Sequence, residues 1–168
     1  MQLYHSIIAS PIGDLYAVAD NNFLLLLEFG NSGELENKTN KIEKKYQTRI
    51  SAGINHILEK TTQELQEYFN GKRKHFDIPL QMEGTQFQQK SWEALKIIPY
   101  AETRNYSEQA LMTGSPKAVR AIGGANHNNP IVIIVPCHRV IGKSGKLVGY
   151  GGGMDRKIWL LEHEKNNI

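Results

Sequence analysis

The stretch SEQALMTGSPKAVRAIGGA, residues 107–125, has the size and punctuation of a helix-turn-helix unit. Ser107–Thr113 supplies a short first helix and Gly114-Ser115 a turn. Pro116–Ala125 supplies a second helix, with Ser115 as its N-cap and Pro116 in its first turn. On that second helix Lys117 and Arg120 can face outward, while Ala118, Val119, Ala121 and Ile122 can pack inward. The small residues running to Gly123-Gly124-Ala125 allow its backbone to approach another surface closely. Helix pairs of this length are common in protein cores, so the pattern alone leaves DNA binding and plain packing both open.

Upstream, Thr85 and Gln88 have capping-box spacing ahead of Phe87, Trp92, Leu95 and Ile98. That spacing predicts a helix from Thr85 to Ile98, stopped by Pro99. Downstream, the apolar run Ile131–Val135 predicts a short buried strand ended by Pro136, and Arg156–Glu164 a closing helix. The first third of the chain holds short apolar or alternating runs instead. Leu3–Ser10, Leu15–Ala19 and Phe23–Phe29, divided by turn residues, predict a three-stranded antiparallel meander. Gly30–Lys45 predicts an exposed loop followed by a loosely helical connector. Ile54–Phe69 has helical spacing with Gly71 as its C-cap. Lys72-Arg73-Lys74-His75 reads as a solvated turn, and Phe76–Leu80 as a short strand broken by Pro79. The fold class is therefore α+β. An N-terminal α/β lobe with a short antiparallel sheet (1–83) precedes a mostly helical C-terminal domain (84–168) that contains the helix-turn-helix.

The chain has 168 residues, a formal charge of +3 and 40% hydrophobic residues, enough for a real core. Its pI of about 8.9 permits a nucleic-acid partner without demanding one. No run approaches the length of a membrane span and the first ten residues lack a secretory signal, so a soluble cytoplasmic protein is expected. The single cysteine, Cys137, excludes an internal disulfide and any zinc site built from several thiolates.

Lone cysteines are mostly inert buried residues, so the neighbours of Cys137 must argue otherwise. They do. Pro136 fixes the backbone where Cys137, His138 and Arg139 begin, and the two basic side chains favour a thiolate. Adjacent side chains on extended chain diverge, so His138 is expected to act on the sulfur through a bridging water rather than directly. A cysteine hydrolase usually draws its histidine from far along the chain, which weighs against that class.

At this point the residues resemble a known family. Ile134-Val135-Pro136-Cys137-His138-Arg139-Val140 resembles the active-site signature of the O6-alkylguanine-DNA alkyltransferases. Pro116–Ala125 resembles that family's recognition helix, and Asn129-Pro130 its asparagine hinge. Ile98-Pro99-Tyr100 with Tyr106 resembles the approach to the recognition helix, and Trp159-Leu160-Leu161 with Glu164 the closing helix. The likeness is close over Gly84–Glu164 and looser before it.

The resemblance implies that Cys137 accepts the alkyl group and that His138 activates it through a water, oriented by Glu164. It implies that Tyr106 protonates or hydrogen-bonds the departing guanine and that Asn129 holds the turn before the nucleophile. Arg120 would fill the gap left by an extruded nucleotide, with Ser115, Lys117, Ala118, Ala121 and Gly123 against DNA. Val140, Tyr150, Gly151 and Gly152 would line the base pocket. The implied partner is double-stranded DNA, approached from the minor groove without sequence preference by a monomer. No metal and no cofactor are expected, and each molecule should react once. The sequence departs from the family pattern at Ser91, at Ala101-Glu102, at His127-Asn128 and at the glycine run Gly151–Gly153. None of these removes an implied catalytic residue. The competing readings are a non-catalytic sensor of alkylated DNA, which would need no thiol, and a thiol hydrolase or redox protein, which the missing second cysteine disfavours.

Overall fold

The computed structural model describes residues 2–168, in two compact units, one ending at Met82 and one spanning Glu83–Ile168. In the first unit β1 (Leu3–Ile8), β2 (Leu15–Ala19) and β3 (Leu24–Phe29) form the antiparallel meander. A fourth strand, β4 (Ile50–Ala52), joins β1 in parallel, so the sheet order is β3-β2-β1-β4. Three residues carry no readable alternation, so this strand leaves no sign in the sequence. In the polar segment after β3 a loop leads, as expected, into helical chain, which is a well-formed helix, α1 (Leu35–Tyr46). None of its residues is buried, but Lys38 reaches the buried Glu28 of β3 at 2.6 Å. Next, α2 (His56–Phe69) is capped by Asn55, which accepts from the Leu58 amide, and it buries Ile57, Leu58, Leu65 and Tyr68.

Two smaller expectations change in this unit. Phe76–Leu80 is not a strand. It makes a single bridge, Leu24 to Leu80, where Pro79 accepts from the Leu24 amide but has no N–H of its own to extend a ladder. The basic turn is anchored rather than merely solvated, because Arg73 meets Glu67 at 2.9 Å and the buried Glu64 at 3.6 Å.

In the second unit α3 (Gln86–Ile97) begins with the expected capping box between Thr85 and Gln88. A two-residue strand, β5 (Arg104–Asn105), leads directly into α4 (Tyr106–Met112), and Asn105 with Glu108 forms a second capping box there. The partner helix of the pair is α5 (Val119–His127). The chain closes with β6 (Val140–Ile141), parallel to β5, and α6 (Met154–Asn166). Trp92 of α3 donates to the Ala125 carbonyl at 2.9 Å, and Gln109 exchanges two amide hydrogen bonds with Asn126 at 2.8 and 2.7 Å. Buried polar groups this well paired fix one arrangement of α3, α4 and α5. Among the described residues no helix is long and apolar enough to cross a membrane.

Two sequence expectations fail here for physical reasons. Helix α5 starts at Val119, not Pro116, and Ser115 is not its N-cap. Ser115–Ala118 is a turn closed by the Ala118 amide on the Ser115 carbonyl at 2.9 Å, and the fixed φ of proline suits its second position. Accordingly Val119 and Ala121 are exposed, and only Ile122 and Ala125 of this helix are buried.

The second failure is larger. Residues 131–135 are apolar and, apart from the half-buried Ile134, buried, but form no strand; they are wound into turns, with Ile133 at φ +71°. Asn129 explains the winding. Its Oδ1 accepts from the Ile131 amide at 3.0 Å and its Nδ2 donates to the Val135 carbonyl at 2.8 Å, taking groups a strand ladder would have used.

Candidate active site

Cys137 opens a single turn of tight helix, Cys137–Arg139, and is 7% exposed. Its sulfur accepts from Asn129 Nδ2 at 3.3 Å. One asparagine therefore fixes the winding of 131–135 and also places a donor on the nucleophile. Cys137 lines a cavity of about 500 Å³ together with Tyr106, Gly123, Asn126, His127, Gly149, Tyr150 and Gly151. That size suits a nucleobase or similar small ring system. Tyr106 reaches the cavity because β5, which precedes it, pairs with β6, which follows the cysteine turn.

Behind the sulfur lies a buried charged cluster. His138 Nε2 meets Glu164 Oε2 at 2.7 Å, both side chains fully buried. The same carboxylate accepts from Arg139 Nε at 2.9 Å, from Arg139 Nη2 at 3.1 Å and from the Ala101 amide at 3.1 Å. Arg139 spends a further N–H on the Ile98 carbonyl at 2.8 Å. Burial alone pushes the Glu164 carboxyl up, but the hydrogen bonds from His138 and Arg139 and the Arg139 charge outweigh it and hold the group well below the usual carboxylate range. Burial lowers the His138 pKa, against the opposing pull of Glu164, so the ring is neutral at neutral pH.

A neutral ring facing an ionised carboxylate carries its proton on Nε2. Nδ1 is then a lone-pair acceptor, and it has no hydrogen-bond partner among the described residues. Tyr106 is pushed up, first by burial and then by the negative charge of Cys137, so it stays a protonated donor; its hydroxyl rests on the Val148 carbonyl at 3.2 Å. The cluster can thus take a proton on one side of the cavity and give one on the other. Among the described residues no group of three His, Cys, Asp or Glu side chains could hold a metal ion.

Comparison with known proteins agrees with this geometry. Residues 3–82 match the ribonuclease-like domain of 6-O-methylguanine DNA methyltransferase, and residues 86–166 match the DNA binding domain of the same family. The chain belongs to the 6-O-methylguanine DNA methyltransferase family. A methylated-DNA–protein-cysteine methyltransferase of Methanosarcina barkeri is 44% identical over 167 residues, covering 99% of this chain and 99% of the relative. One from Mycobacterium bovis is 59% identical over 103 residues, 61% of this chain and 62% of that protein. The crystal structure of Mycobacterium tuberculosis OGT in complex with DNA matches with a TM-score of 0.84 at 43% identity, covering 98% of this chain and 94% of its own.

In this methyltransferase-family chain the residues implied by the sequence fall into separate groups. Cys137 and Tyr106 line the cavity; Asn129, His138 and Glu164 are buried behind it. Arg120, Lys117 and Ala121 are exposed on and before α5, with Ser115 and Ala118 half-buried. Gly123, grouped with these by the resemblance, stands in the cavity wall. Tyr150 and Gly151 line the cavity, whereas Val140 is fully buried and Gly152 accepts from Arg156.

Sequence reasoning missed Asn126, His127 and Gly149 in the wall and the buried Lys157. Only Lys157 left a readable sign. Lys157, Leu160 and Glu164 are spaced three and four apart and are the buried residues of α6, so two charges stand on its inward stripe.

Proposed function

We propose that this protein repairs alkylated DNA by moving the alkyl group from the O6 atom of an extruded guanine onto Sγ of its own Cys137. The observation that carries the reading is the chain's sole thiol lining a base-sized cavity, with a buried His138–Glu164 pair beside it in sequence and space. His138 Nδ1 takes the thiol proton through one water, and Glu164 holds the ring and stabilises the charge it gains. The thiolate attacks the alkyl carbon; an S–C bond forms as the C–O6 bond breaks. Guanine leaves with the electron pair and takes a proton from Tyr106, which is restored from the proton released at the thiol. No second cysteine exists to cleave the thioether, so each molecule reacts once.

A buried sulfur cannot reach a base within the helical stack, so the nucleotide must swing out. The exposed Arg120 is the residue that occupies its place, with Lys117 on the phosphates. The small residues Ala118 and Ala121 allow α5 to enter a minor groove without reading sequence, as a monomer acting in the cytoplasm. The N-terminal unit serves as scaffold, and the unit from Glu83 onward carries DNA binding and transfer.

Intact-protein mass spectrometry after mixing with duplex containing O6-methylguanine tests the reading. A gain of one methylene mass per chain, and never more, is the expected result. No gain with DNA still bound would make the protein a sensor of damage. Arg120→Ala is expected to slow repair of duplex by about tenfold to a hundredfold, since extrusion costs a few kcal/mol, while reaction with free O6-methylguanine base is unchanged. Equal losses on both substrates would remove the extrusion role.

A further inference from the structure

Lys157 on α6 carries a charge, yet it is 0% exposed. Its Nζ donates to three backbone carbonyls: Val140 at 2.5 Å, Val148 at 3.1 Å and Gly149 at 3.1 Å. An ammonium has three protons and no acceptor, so these bonds satisfy it completely. The three carbonyls come from two places. Val140 lies in β6, just after the cysteine turn, whereas Val148 and Gly149 belong to the loop beside the cavity, with Gly149 in its wall. The Val148 carbonyl also receives the Tyr106 hydroxyl. If this loop opened, a buried cation would lose two of its three acceptors, which buried charge does not tolerate.

We propose that Lys157 is a positioning residue for alkyl transfer, riveting the cavity loop to the nucleophile segment and presenting its positive charge to the Cys137 thiolate. The proposal rests on Cys137 being the alkyl acceptor. The charged or titratable groups around the Cys137 turn are Tyr106 from α4, His127 from the α5 wall, His138 and Arg139 from the turn itself, and Lys157 and Glu164 from α6. Tyr106 and His138 are uncharged there, and Arg139 is committed to Glu164 by two bonds. Lys157 is bonded only to neutral carbonyls among the described residues, so no carboxylate cancels its charge. Burial lowers its pKa and the Cys137 charge pushes it back up, an attraction that by reciprocity favours the thiolate.

The test follows the rate at which iodoacetamide alkylates Cys137 across pH, in the wild-type chain and in Lys157→Met and Lys157→Gln, each checked for folding by thermal melting. The midpoint is expected to move to higher pH in both variants, and methyl transfer from DNA at neutral pH to fall by about tenfold for each unit by which the midpoint rises above neutral. A midpoint that stays put in a folded variant overturns the proposal. The wild-type chain gives a second measurement needing no variant. With lysines labelled at Cε, the NMR titration of Lys157 should fall to lower pH once Cys137 is a thioether; an unmoved titration also overturns it. Iodoacetamide needs no DNA, so the two readings fail separately. A wild-type chain that takes no methyl from DNA sinks the repair function, and an unmoved iodoacetamide profile sinks the role of Lys157.

Discussion

Glu164→Gln is expected to destabilise the fold by about 3–5 kcal/mol, the cost of breaking a buried ion pair from one side. The carboxylate accepts from four donors: His138 Nε2, two Arg139 nitrogens and the Ala101 amide. A carboxamide presents an NH2 to one of those donors and leaves the Arg139 charge buried without its partner. Methyl transfer should fall with it, because His138 loses the group that fixes its proton on Nε2. The pH dependence separates electrostatics from shape. The folded Glu164 pKa is depressed, so the contribution is complete above the unfolded value of about 4.3 and is lost as pH falls from there towards the folded value. The stability gap between wild type and variant should therefore be flat above about pH 5 and narrow by about 1.4 kcal/mol per unit below about pH 4. Denaturant melts at pH 7 and pH 3 measure it, and a gap equal at both would assign the loss to packing alone.

Cys137→Ser should abolish alkyl uptake altogether. A serine hydroxyl does not ionise near neutral pH, and His138 through a water cannot supply the missing nucleophilicity. The fold should hardly notice, since an oxygen can still accept from Asn129 Nδ2 and the lost sulfur contact is worth no more than about 1 kcal/mol. The decisive comparison is gel retardation on methylated duplex beside mass spectrometry: retained binding with no mass gain. A variant that still gained the methyl would move the acceptor to another residue.

Local pattern made much of the fold legible. Both Thr85 with Gln88 and the apolar runs of β1–β3 between their turn residues translate into the expected helix and meander, because caps and turns are settled by neighbours in sequence. The failures share another cause. Ile131–Val135 has β-branched composition and is buried except at the half-buried Ile134, yet Asn129 claims its backbone groups, which no propensity for the run itself records. Pro116 fits a helix start and a turn equally well, and the structure takes the turn, closed by the Ala118 amide on the Ser115 carbonyl. The grouping of His138 and Glu164 next to Cys137 was legible through resemblance to a family signature. The positions of Asn126, His127 and Gly149 in the cavity wall depend on how α5 and the later loop come together, which no spacing encodes.

The winding around Asn129 has a mechanical consequence. A cysteine at the end of a free strand could lean towards its target. Here the segment before it is tied to one buried asparagine at Ile131 and again at Val135, and that asparagine grips the sulfur as well. The nucleophile is mounted like a fixed anvil, with little travel of its own. All displacement in the encounter then falls to the nucleic acid, and damaged steps that bend and unstack easily should reach the sulfur soonest.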